Sequence, residues 1–195
     1  MRNDVPAGGA SNAVGAEMGF STDSRARFNL AQVSVLLLEE TSLGMSILVQ
    51  ILNGFGARKI YRCDTVEKAE KVVQETDLDL LIIDAMGRSG AGYDFVRWLR
   101  RSGLRPNCYV PVILTAAHTP ASAIARARDC GAHILMAKPL TPRAMLDRIV
   151  WVARAGRRFV ECDSYAGPDR RFKVSDLPAG VSVGRRRQDG VSVPG

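Results

Sequence analysis

Three side chains of different chemistry stand where buried apolar runs stop. The run Leu78-Asp79-Leu80-Leu81-Ile82-Ile83 ends on Asp84, Pro111-Val112-Ile113-Leu114 ends on Thr115, and His133-Ile134-Leu135-Met136-Ala137 ends on Lys138. Runs this uniformly apolar read as strands buried on both faces, since an exposed face would force polar alternation. A residue that closes such a strand lies at the carboxyl edge of the sheet, where open α/β folds bind ligands. An acid, a hydroxyl and an ammonium gathered there can receive, shield and neutralise a phosphoryl group.

The elements that must position these residues alternate between strand and helix. Residues 1–29 are small and polar without period and read as a disordered leader. Val33-Ser34-Val35-Leu36-Leu37-Leu38 is the first strand, closed by Glu39-Glu40. The next helix places Leu43, Ile47, Leu48, Ile51 and Leu52 on one stripe, with Gly54 and Gly56 near its end. Lys59–Arg62 is a short strand, and Asp64 or Thr65 caps the helix after it, through Gln74. The helix beyond Asp84 carries Phe95, Val96 and Leu99. Thr119-Pro120 and Thr141-Pro142 each place a capping residue before a proline at the first helical position. The last helix carries Met145, Leu146, Ile149, Val150 and Val152 on its apolar side. Five strands alternating with five helices predict an α/β, flavodoxin-like parallel sheet of order 2-1-3-4-5 covered on both faces. In that order the first and third strands are neighbours, so Glu39, Glu40 and Asp84 share one crevice. The expected division is a leader at 1–29, a domain at 30–155 and a largely disordered arginine-rich tail at 156–195.

Composition narrows the class. With 46% hydrophobic and 24% charged residues over 195 positions, the chain has the apolar content for one ordinary core. No apolar stretch approaches the roughly 20 residues of a membrane span, and no signal-peptide core follows Met1, so cytoplasmic residence is the expectation. Cys63, Cys108, Cys130 and Cys162 are scattered without a Cys-x-x-Cys pair, which favours reduced structural thiols. The formal charge of +7 is concentrated late, in Arg157-Arg158, Arg170-Arg171 with Lys173, and Arg185-Arg186-Arg187. Such clustering suggests an anionic partner for the tail.

In its ordered set of motifs the chain resembles the receiver domain of bacterial response regulators, the CheY-like family. The set is an acidic pair after the first strand, Asp84 after the third, Thr115-Ala116 after the fourth and Lys138-Pro139 after the fifth, over about residues 31–155. The resemblance implies that Asp84 accepts a phosphoryl group from a histidine kinase or histidine phosphotransfer protein. It implies Mg²⁺ held by Glu39 or Glu40, Asp84 and the Met86 backbone carbonyl, with Lys138 and Thr115 on phosphoryl oxygens and a cis Lys138-Pro139 peptide. The chemistry is consistent: a carboxylate nucleophile must meet phosphorus in line while charge on the equatorial oxygens is stabilised. The implied product is a signalling switch that assists its own phosphorylation and acts on an unidentified protein target.

The chain departs from the family at three places. Its acidic pair is Glu39-Glu40 where the family usually has aspartate in one or both places, and one added methylene moves each carboxylate outward. Arg88 stands in the loop after Asp84, where a Met-Pro pair is usual. Leu135 occupies the position of the switching aromatic that follows Thr115, and leucine offers no ring to rotate, so a weak conformational response is expected. Residues 156–195 lack the two amphipathic helices of a helix-turn-helix, so specific DNA binding is not expected. Gly167-Pro168-Asp169-Arg170-Arg171-Phe172 mixes guanidinium groups, a carboxylate and a ring around a turn, a set that can bind phosphate and a guanine edge. It resembles the arginine-rich tails of some CheY-like proteins that bind cyclic di-GMP at the flagellar motor. The alternative reading is therefore a nucleotide-responsive adaptor using Arg157, Arg158, Asp169, Arg170, Arg171 and Arg185 to Arg187, with the receiver mainly as scaffold.

Overall fold

The computed structural model describes residues 29–85 and 89–170. Five parallel strands, β1 (Ser34–Leu38), β2 (Lys59–Cys63), β3 (Leu80–Asp84), β4 (Val112–Ala116) and β5 (Ile134–Ala137), form one sheet in the order β2-β1-β3-β4-β5. The helices are α1 (Ser42–Gly54), α2 (Val66–Glu75), α3 (Ala91–Arg101), α4 (Ala121–Cys130) and α5 (Pro142–Arg154). This is the flavodoxin-like order read from the sequence.

Strand alternation sorts the core into two halves. Leu36, Leu38, Leu81, Ile83, Val112 and Leu114 face one side, under Ala69 and Val73 of α2, Phe95 and Leu99 of α3 and Ala127 of α4. Val35, Leu37, Leu80, Ile82 and Ile113 face the other, under Leu48 and Leu52 of α1 and Met145 and Ile149 of α5. With both faces covered, the central strands carry unbroken apolar runs, at 35–38, 80–83 and 112–114, the pattern that marked them in the sequence.

Helix boundaries follow their caps. Thr41 accepts a hydrogen bond from the Gly44 amide, Thr65 from Lys68 and Thr141 from Ala144. Thr65, not Asp64, is thus the cap of α2, and Asp64 pairs with Lys68 instead. Pro120 sits one position earlier than its sequence suggests: it is the cap residue of α4, and the helix starts at Ala121. The stripe of α1 is also narrower than expected. Leu48, Ile51 and Leu52 are buried, while Leu43 is 71% and Ile47 39% exposed.

The largest difference lies past Ala155. Phe159–Cys162 (β6) and Tyr165–Pro168 (β7) pair as an antiparallel hairpin where a disordered tail was expected. A lone two-stranded hairpin is marginal in water. This one is held because all four residues of β7 are buried, packed against α3 and α4. Two glycines allow the approach: a Cβ on Gly131 would lie 2.5 Å from the Ala166 carbonyl oxygen, and one on Gly167 would lie 2.7 Å from the Gly131 Cα. The expected leader, apart from Asn29, and the tail beyond Arg170 lie outside the described residues.

Candidate functional site

Register builds the site. Leu38 is paired with Ile83, so the next residues, Glu39 and Asp84, emerge side by side from β1 and β3. Asp84 is itself paired with Thr115 on β4. Ala116 is paired with Ala137 on β5, and Lys138 follows, its amide donating to the Ala116 carbonyl at 2.8 Å. The Lys138-Pro139 peptide is cis. Four side chains from four strand ends thus meet at one edge.

Lys138 stands at their centre. Its Nζ lies 2.6 Å from Glu39 Oε2 and 3.0 Å from Asp84 Oδ1. The Glu39 side chain is fully buried, that of Asp84 is 13% exposed, and Lys138 is 27% exposed, so the second carboxylate and the ammonium can be reached from solvent. Thr115 is fully buried, with its hydroxyl 3.5 Å from Asp84 Oδ1. Helix α3 approaches closely because residue 92 is glycine: a Cβ there would lie 2.0 Å from the Asp84 carbonyl oxygen.

The electrostatics follow from sharing one ammonium between two acids. Burial works to raise the Glu39 pKa, but hydrogen bonds from Lys138 and Thr41 outweigh it and hold the carboxyl below its ordinary value. Burial likewise works against the Lys138 charge, and the hydrogen bonds to Glu39 and Asp84 outweigh it, so the ammonium is held above its ordinary value. The site therefore sets a Glu39 carboxylate and a Lys138 ammonium, each held in its charged form, beside the Asp84 side chain.

The structure separates the expected site residues. Asp84, Thr115, Lys138 and Glu39 come together, whereas Glu40 is exposed. The β1 residues alternate between the two faces, and the residue that continues past the sheet edge into the crevice is the first of the acidic pair. Leu135 is partly buried against the α3–α4 side of the core. Met86 and Arg88 lie outside the described residues, as do Arg171 and Arg185 to Arg187. Sequence reasoning missed Thr41, whose hydroxyl and amide both donate to Glu39 Oε1, at 2.6 and 3.2 Å. Thr41 also caps α1, and its bonds to Glu39 depend on the direction of that side chain, which the sequence does not give.

Arg157 and Arg170, expected in a free basic tail, make contacts with the domain and the hairpin. Arg157 donates to the carbonyls of His133 and Asp169. Arg170 lies 3.7 Å over the Tyr165 ring and pairs with Asp129 at 3.1 Å. Arg158 is exposed. Beneath the hairpin, Arg100 is buried; its Nε donates to Gly131 and one Nη to Cys108, while Nη2 has no hydrogen-bond partner among the described residues. Burial lowers its pKa to about 10, so it is still a cation at neutral pH.

These features define a receiver domain of two-component signalling, and comparison with known proteins agrees. The response regulator receiver domain family matches residues 35–150, and the chain belongs to that family. The sensory/regulatory protein RpfC of Xanthomonas campestris pv. campestris is 26% identical over 137 residues, a match covering 69% of this chain and 18% of that protein. The chain therefore spans less than a fifth of that curated relative's length. Among solved structures, a putative response regulator from Chloroflexus aurantiacus J-10-fl superposes with a TM-score of 0.57 at 22% identity, covering 62% of this chain and 97% of that one. The chemotaxis protein CheY4 of Vibrio cholerae superposes with a TM-score of 0.56 at 18% identity, covering 62% and 98%. Receiver domains are signalling switches, and they generally use Mg²⁺ at the phosphorylation site. No helix among the described residues is long and apolar enough to cross a membrane.

Proposed function

We propose that Asp84 accepts a phosphoryl group from a phosphohistidine in a histidine kinase or histidine phosphotransfer protein. The modified domain then signals through altered contact with a protein target. The observation that carries this reading is the placement of Asp84 within reach of solvent, of the Lys138 ammonium and of the Thr115 hydroxyl at one sheet edge. An Asp84 oxygen attacks phosphorus in line, a P–O bond forms as the P–N bond breaks, and the imidazole nitrogen leaves with the bonding pair and is protonated. Lys138 then holds one phosphoryl oxygen and Thr115 donates to another.

The donor set suits a hard divalent cation, because Glu39 and Asp84 direct carboxylate oxygens at one positively charged centre. Among the described residues no third His, Cys, Asp or Glu joins them. Glu39 and Asp84 would hold Mg²⁺ with water and backbone oxygens, and Glu40 and the Met86 carbonyl are the sequence candidates to complete the set. When bound, the ion supplies neutralising charge to the phosphoryl oxygens. Labelling by acetyl phosphate, with and without Mg²⁺, tests the reading: wild type is labelled and Asp84→Asn is not. Equal labelling of the two would remove Asp84 as acceptor.

A further inference from the structure

Glu39 carries the longer of the two acidic side chains, yet that side chain is fully buried. Something must make room for the added length and fix its direction. Both of its oxygens are engaged: Oε1 accepts from the Thr41 hydroxyl at 2.6 Å and the Thr41 amide at 3.2 Å, and Oε2 accepts from Lys138 at 2.6 Å. The room comes from Gly44, in the first turn of α1. A Cβ there would lie 2.5 Å from Glu39 Cδ, 2.6 Å from Oε1 and 2.7 Å from Thr41 Oγ1, all closer than real contacts permit.

Gly44 has no conformational reason to be glycine. It is a residue of α1 and is not among the glycines with positive φ. Glycine inside a helix is disfavoured relative to alanine, so its presence asks for a local reason. The carboxylate lying against its Cα supplies one. Thr41 links the two, since its hydroxyl donates to Glu39 and accepts from the Gly44 amide at 3.1 Å.

We propose that Thr41 and Gly44 are positioning residues that form a seat for glutamate at position 39, aim it at Lys138 and Asp84, and so determine which acid the site accepts there. The proposal rests on the phosphoryl-acceptor reading of Asp84. Its logic makes the residue types at 39 and 44 interdependent: a longer acid needs the bare Cα, and a filled Cα needs a shorter acid.

The test uses the full chain, acetyl phosphate labelling with Mg²⁺, and urea unfolding of the single and double variants. Gly44→Ala slows labelling about tenfold, the scale of one lost hydrogen bond to a charged group, while alanine's better helix propensity offsets part of the stability lost at the seat. Adding Glu39→Asp to Gly44→Ala recovers most of the labelling, and the two substitutions are coupled in unfolding, the double variant losing less stability than the sum of the singles. Thr41→Val slows labelling, and Thr41→Ser restores it. Thr41→Asp separates seat from cap: it can still accept from the Gly44 amide but, ionised, cannot donate to Glu39, so its labelling is slowed like that of Thr41→Val. Unchanged labelling in Gly44→Ala, additive unfolding costs, or wild-type labelling in Thr41→Asp overturns the seat. The unfolding cycle does not depend on phosphorylation, so if wild type proves not to be labelled on Asp84, the acceptor reading fails while the cycle still decides the seat.

Discussion

Replacing Lys138 by methionine, which keeps most of the length and removes the charge, probes the balance on which the site stands. Two carboxylates share this ammonium, at 2.6 and 3.0 Å, and one of them has no exposed surface. Deleting one partner of a buried ion pair costs about 3–5 kcal/mol, because the other charge is left desolvated. Lys138 keeps 27% exposure, and Glu39 retains both bonds from Thr41, which places the expected loss at the lower end, about 3 kcal/mol. In a Glu39→Gln background the same substitution leaves no buried charge on residue 39, and its cost falls to about 1 kcal/mol, a coupling of about 2 kcal/mol. The pH dependence separates the variants further. Wild-type Glu39 has a folded pKa below 4.5, so its contribution is present above that value and is lost as pH falls through the folded pKa. Without Lys138, burial is the largest remaining influence and works to raise the Glu39 pKa, so acidification costs the variant less stability than it costs wild type. Urea unfolding followed by tryptophan fluorescence at pH 7.5 and pH 5 reads both effects, and groups common to the two proteins cancel in the difference. A cost below about 1 kcal/mol, equal at the two pH values, would show that the pair is effectively solvated and refute the reasoning.

Two further predictions concern the end of the domain covered by the hairpin. His133 accepts a hydrogen bond from the Val112 amide through Nδ1, and burial, with Arg100 and Arg157 nearby, holds its pKa well below 6.5. The folded state thus resists a proton that the unfolded chain takes up, so stability falls as pH drops below 6.5, by at most about 1.4 kcal/mol per pH unit. Urea unfolding from pH 7.5 to 5 should show His133→Asn, which can keep the acceptor but cannot titrate, losing less than wild type; parallel curves would contradict this. Truncation after Ala155 removes the cover of Arg100 and the buried Tyr165 contact, and should lower stability by about 2 kcal/mol or more. An unchanged melting temperature would mean that the hairpin is only laid on the surface.

The strands were legible because burial on both faces leaves a continuous apolar signature, and the sheet order followed from alternation with helices. Asp84, Thr115 and Lys138 were legible for the same reason: each closes such a run, so its place at the sheet edge is fixed by the strand before it. The choice between Glu39 and Glu40 was not legible. At the end of a strand the alternation no longer dictates which of two adjacent side chains turns into the crevice, and here that depends on a seat made by residues in the following helix. Leu43 and Ile47 misled the helix stripe because a 3.6-residue period tolerates residues on the margins of the buried arc.

The tail shows the opposite failure, in which charge composition concealed structure. Strands of four residues containing Gly167 and Pro168 give little periodic signal, and arginines at 157, 158, 170 and 171 suggest a solvated basic segment. What decides the matter is long-range: Tyr165 is covered by Arg170, Arg157 reaches the His133 carbonyl, and Arg100 lies 5.4 Å from the centre of the Phe159 ring. Guanidinium groups can do this because they bond in their plane while stacking on an aromatic face. The same property that made these arginines look available to an anionic ligand therefore lets Arg157 and Arg170 serve as packing residues. A basic run next to aromatic residues and glycines is for that reason weak evidence for a free tail.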